Sequence, residues 1–111
     1  MSYNFTHKRG DTFKEVNFAY LLNGSPINLT GATIKMQLRK ECGGLVALNL
    51  TSVANAGITI TNASGGLFKI NKQIINIAEY DYLYDIQITF ADSTVESYLD
   101  GVFTITCDIT R

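Results

Sequence analysis

Few side chains in this sequence have chemistry to offer. His7 is the only histidine, and it stands in a short basic run, His7-Lys8-Arg9. One histidine cannot build a histidine-based metal cage. A Ser-His-Asp triad would have to hang His7 on a polar N-terminal segment, a poor support for preorganised chemistry. Glu79, Asp81 and Asp85 share the outward face of one extended stretch. Such a strand advances about 7 Å for every two residues, too wide and flat for a calcium cage without loops to help. There is no Gly-rich phosphate loop and no Cys-x-x-Cys. The residues therefore imply no enzyme, no cofactor and no metal.

Tyr80, Tyr82 and Tyr84 are the most informative aromatics. Alternating along one side of a strand, they could form a platform on which sugar rings stack. The other reading is structural: a tyrosine near the start of a late strand is a corner device in β-sandwiches, its hydroxyl bonding back to the backbone. The structural reading is preferred. Arg9-Gly10-Asp11 matches the adhesion tripeptide, but Gly10-Asp11 directly opens a strand, where turn residues belong. The sequons at Asn4, Asn23, Asn28, Asn49 and Asn62 carry weight only in a secreted eukaryotic protein; here turn chemistry and chance account for them.

The elements that must position these residues read as strands. In the final third, Tyr84, Ile86, Ile88 and Phe90 alternate with Asp85, Gln87 and Thr89; Phe103, Ile105, Cys107 and Ile109 then alternate with Thr104, Thr106, Asp108 and Thr110. A period of two places one set inward and the other outward. Asp92–Thr94 and Asp100-Gly101 supply a chain reversal and a bulge. Earlier, a strand is expected over Thr12–Leu22, with Val16, Phe18, Tyr20 and Leu22 on one face. Asn23-Gly24 turns the chain, and Ile34, Met36 and Leu38 point inward from a strand over Ala32–Lys40. Leu45–Thr51 returns with Val46, Leu48 and Leu50 inward, followed by strands over Ile58–Thr61 and Leu67–Ile70. Residues 71–79 allow one helical turn at most, because Ile74, Ile75 and Ile77 disfavour helix. The count is seven or eight strands at the spacing of an antiparallel sandwich.

With 111 residues, 46 % hydrophobic and 17 % charged, the chain holds a single core. The expected division is an N-terminal arm, residues 1–11, and one domain, residues 12–111. The arm carries Tyr3 and Phe5, and it either packs along a sheet edge or reaches a neighbouring subunit. A net charge of -1 argues against nucleic acid. No apolar run suits a membrane span or a signal peptide, so synthesis in a reducing cytoplasm is expected. Cys42, in a Gly-flanked turn, and Cys107 are expected to stay free thiols, with a bridge between them left open.

Read in order, Arg9-Gly10-Asp11-Thr12-Phe13, Asn23-Gly24-Ser25-Pro26-Ile27-Asn28-Leu29-Thr30-Gly31-Ala32 and Met36-Gln37-Leu38-Arg39 resemble small phage structural proteins. The likeness is to the immunoglobulin-like N-terminal domain of the baseplate upper protein family. Gly66-Leu67-Phe68-Lys69-Ile70 and the stretch from Tyr82 to Gly101 match its later strands, and the ending from Gly101 to Arg111 is similar to that of small virion proteins. Asn28 stands where Asp is common, and Cys107 near the usual place of a terminal proline. Baseplate proteins of that family carry further domains after the one that these motifs resemble, so the expected place in the particle stays open among baseplate, tail, neck and head surface. The resemblance implies an all-β, antiparallel immunoglobulin-like β-sandwich with no catalytic residues. It would be a virion structural protein of the baseplate, tail, neck or head surface, made in the host bacterial cytoplasm. Its partners would be other virion proteins and copies of itself, with Tyr3, Phe5 and Arg9 as the first candidate contacts and a sheet edge as the second. The alternative is a carbohydrate-binding accessory module using Tyr80, Tyr82 and Tyr84.

Overall fold

A computed structural model of the chain describes residues 3–41 and 43–107. Cys42, Ile109 and the other positions beyond these bounds lie outside the described residues. Twelve strands follow one another: β1 (Phe5–Lys8), β2 (Thr12–Phe13), β3 (Val16–Ala19), β4 (Leu21–Leu22), β5 (Ser25–Pro26), β6 (Thr33–Arg39), β7 (Val46–Thr51), β8 (Ile58–Asn62), β9 (Leu67–Ile70), β10 (Gln73–Ile74), β11 (Tyr80–Thr89) and β12 (Val95–Thr106). The main sheet has the order β1-β12-β11-β6-β7 and the second β3-β9-β8, with two-stranded ribbons β10-β2 and β4-β5. The fold is all-β and consistent with a β-sandwich.

One core joins the two sheets. Ile34, Met36 and Leu38 of β6, Tyr84, Ile86 and Ile88 of β11, and Phe103 and Ile105 of β12 meet Phe68 and Ile70 of β9 and Ile58 of β8. The alternation in β6 and β11 holds because each strand keeps its partners along its length, Leu83↔Arg39 through Thr89↔Thr33. Among the described residues, no buried side-chain polar atom lacks a hydrogen-bond partner, as a stable interior requires.

Where strands change partner, simple alternation fails. The expected strand over Thr12–Leu22 breaks into three, because β2 pairs with β10, β3 with β9 and β4 with β5. Phe13 is buried, while Leu22 is exposed. Asn23 and Gly24 both take positive φ, 51° and 81°, which the tight β4–β5 hairpin requires. In β7 only Leu50 is fully buried; the register shifts by one residue at Ala47 and turns Val46 outward opposite Arg39. The bulge in β12 lies at Tyr98 rather than at Asp100-Gly101, since Ile86 faces Leu99 and Gln87 faces Ser97. It directs Tyr98 and Leu99 toward the interior together: Leu99 is buried and the Tyr98 ring meets Phe68 at 5.5 Å.

The limit of one helical turn over 71–79 holds, with none formed: β10 lies there, and the Ile75 carbonyl accepts from the Gly10 N–H at 2.8 Å instead of serving a helix. The helical turn among the described residues is a 3-10 turn at Val53–Asn55. Cys107 is exposed, not inward, because the ladder that orients β12 ends at Lys8↔Thr106.

Of the two fates open to the N-terminal segment, its described part takes the first. β1 lies parallel to β12, from Phe5↔Phe103 to Lys8↔Thr106. Asn4 Oδ1 accepts from the Val102 N–H at 3.0 Å, and the Tyr3 N–H donates to the Asp100 carbonyl at 2.8 Å. Gly101 allows this approach. Its φ is +151°, and a Cβ there would lie 2.2 Å from the Tyr3 carbonyl oxygen.

Candidate docking surfaces

The three residues expected to contact a partner have separate fates. Phe5 is a core residue, its ring 5.2 Å from Phe103 and 5.5 Å from Tyr84. It is therefore not available to a partner, because a strand at a sheet edge still sends alternate side chains inward. Tyr3 is exposed on the same segment, edge-on to Phe5 at 4.8 Å. Arg9 is exposed, with its Nε donating to Asn76 Oδ1 at 3.2 Å. Arg9-Gly10-Asp11 forms the turn between β1 and β2, closed by the Asp11 N–H on the Lys8 carbonyl at 3.2 Å and by the His7 ring on the Asp11 carbonyl at 2.9 Å.

The tyrosine trio divides in the same way. Tyr82 and Tyr84 are buried, so no three-ring platform faces solvent. The Tyr82 hydroxyl donates to the Ala78 carbonyl at 2.6 Å, the corner bond expected of a tyrosine at this place. The Tyr84 hydroxyl donates to the Tyr3 carbonyl. Burial pushes both phenols above their ordinary range, with Asp100 adding to the effect at Tyr84. Tyr80 alone is exposed, and the Lys40 Nζ stands 4.9 Å from its ring centre, a cation–π contact that occupies one face.

The outer face of the main sheet holds an open groove of about 720 Å³ between the β6–β7 turn and β12. Its polar side chains include Gln37, Arg39, Glu41, Asp85, Gln87 and Asp100. The Arg39 guanidinium is already engaged, donating to the Gly44 carbonyl and, at 3.0 Å, to Gln37 Oε1. It fixes the turn. Asp85 and Asp100 sit directly opposite each other on adjacent strands. This arrangement offers hydrogen-bond and charge complementarity to a polar partner, and places no nucleophile beside a base. Among the described residues no three His, Cys, Asp or Glu side chains gather as a metal site, and no helix is long and apolar enough to cross a membrane.

A second surface lies along the β7 flank. β7 ends the main sheet and β8 ends the second sheet, and the two adjoin through a parallel bridge between Thr51 and Gly57. Leu45, Val46 and Val53 are exposed there, Leu45 at 92 %. The sequence carries a signal for this flank that alternation does not reveal: no charged residue occurs between Glu41 and Lys69, although 17 % of the chain is charged. All 9 basic and 10 acidic residues lie elsewhere.

Neither a scan against protein-family models nor a search of curated proteins finds a match to this sequence.

Proposed function

We propose that this chain is a non-enzymatic structural component of a tailed-phage virion that acts by protein–protein docking through an immunoglobulin-like sandwich. The strand order supports the fold part of this reading. With β3, β9 and β8 taken as strands B, E and D, and β6, β11 and β12 as C, F and G, the two sheets divide as that fold requires. β7 then extends the C-F-G sheet, and Tyr82 occupies the corner position on F. The ordered motifs from Gly10 to Arg111 support the virion part.

The observation that carries docking is the uncharged, apolar flank around β7. Soluble sandwiches usually guard an edge strand with charge, proline, a bulge or cover. Among the described residues this edge carries no charge and no proline, and is guarded by the bulge at Ala47 and by the turn that covers its Thr51 end. A small rigid domain of this kind contributes modest interfaces, which become firm when many copies are held at fixed positions. Tyr3 and Arg9 remain available beside the opposite edge for a further contact.

Quantitative mass spectrometry of purified particles from the producing phage tests the proposal. A fixed number of copies per particle is the expected result, and its multiple distinguishes ring, vertex, fibre or shell. Absence of the chain from the particle overturns the virion reading.

A further inference from the structure

The backbone of β7 has an open side of defined extent. The Ser52 N–H donates to the Ile34 carbonyl at 2.9 Å and the Ile34 N–H donates to the Ser52 Oγ at 2.9 Å, which puts Ile34 and Ser52 at a hydrogen-bonded position of the ladder. Antiparallel pairing alternates such pairs with non-bonded ones. Thr51 and Asn49, opposite Lys35 and Gln37, therefore direct their N–H and C=O groups away from β6. The Thr51 N–H is taken by the Ala56 carbonyl at 2.9 Å, so the turn after β7 covers that end. From Leu45 to Asn49 no backbone hydrogen bond among the described residues covers the edge, whose alternation is broken once, by the extra residue at Ala47.

We propose that this open stretch pairs with the same stretch of a second copy, antiparallel about a two-fold axis. The inference names a partner for the docking mode proposed above and rests on it. Charge selects the occupant. An edge without charge gives no attraction to a charged strand and no repulsion of its own copy. The opposite edge of the sheet runs through His7 and Lys8 into Arg9, so two copies meeting there place like charges together. Two-fold pairing is self-complementary by construction, and it would join two five-stranded sheets into one. Five residues of edge bury less than the roughly 1,200–2,000 Å² of a stable interface. The dimer is accordingly weak when free in solution and firm only where copies are already held close.

Sedimentation velocity of the full chain from about 1 μM to about 1 mM, the range of weak self-affinities, tests this. The expected result is a monomer–dimer equilibrium. Val46→Lys and, separately, Leu45→Lys, which lies outside the strand and cannot disturb its ladder, should each raise the dissociation constant about tenfold or more. Mixing Val46→Lys with Val46→Glu should restore dimers, while Val95→Lys at the β11–β12 hairpin should leave them unchanged. Circular dichroism confirms that each variant is folded. A wild-type chain that stays monomeric throughout, or a dimer indifferent to both Leu45→Lys and Val46→Lys, overturns the proposal; the first result would leave the edge to a strand of a different protein. Particle mass spectrometry reads the virion proposal and sedimentation reads this one, so the two can fail separately.

Discussion

The hydroxyl of Tyr84 is bonded to the carbonyl of Tyr3, 81 residues earlier in the chain. Through it a core side chain holds down the backbone that leads into β1. Tyr84→Phe keeps the buried ring and removes the bond, so the loss should be about 0.5–1.5 kcal/mol. For a domain near 100 residues that is a fall in melting temperature of a few degrees, about 4–8 °C per kcal/mol. Amide hydrogen exchange should quicken locally at Tyr3 to Lys8. A fall in protection spread evenly over the sheet would contradict the local role.

Gly101→Ala should act on the same contact from the other side. The added methyl would meet the Tyr3 carbonyl at 2.2 Å and sit on a backbone with φ +151°. A strained position of this sort costs about 1–3 kcal/mol. Urea unfolding checks the magnitude, and limited proteolysis should show earlier cleavage before β2.

Phe5→Ala should destabilise the domain by about 3–5 kcal/mol, the range for emptying a buried aromatic site. Deleting residues 1–8 should cost at least as much, because it also removes a strand of the main sheet. A deletion that left the melting temperature unchanged would show that β1 contributes no stability.

Alkaline pH should unfold the protein. Tyr20 is raised to about 12, chiefly by its hydrogen bond to the Glu96 carboxylate and then by burial. Tyr82, Tyr84 and Tyr98 are raised chiefly by burial. In each case the folded state favours the neutral phenol. The stabilisation is fully present below pH about 10, the unfolded value, and is lost as pH rises through the higher folded values. Tyrosinate absorbance should show Tyr20, Tyr82, Tyr84 and Tyr98 ionising late, together with the loss of near-ultraviolet dichroism. On the acid side, Asp92 is lowered chiefly by the Thr94 N–H, and Glu15 chiefly by Asn17. That contribution is present above the ordinary carboxylate range and lost as pH falls through the lowered values. It is small, because both groups are at the surface.

The sequence made β6 and β11 legible because a strand with constant partners on both sides has to alternate. Elsewhere the rule ran out for identifiable reasons. Tyr98 and Leu99 are adjacent, and only a bulge can send both inward; nothing in their spacing marks which residue is the extra one. Val46 was displaced by the same kind of shift at Ala47. Phe5 was hidden by its polar neighbours, since a four-residue strand offers too few alternations to reveal a buried face. Of the candidate site residues, Tyr82 could be read because its corner role is local, four residues from Ala78. The fate of Tyr84 depended on Tyr3 and could not be read from its own surroundings.

The parallel pairing of β1 with β12 also sets an order of events during synthesis. Phe5 must wait for Phe103, 98 residues later, before it has a strand to join. β12 lies between β1 and β11 in the sheet, so its absence leaves two nascent edges open rather than one. Such distant pairings are slow to form, and open edges are where incomplete chains aggregate. A ribosome that stalls before β12 would release a chain with most of its strands made and its sheet still divided.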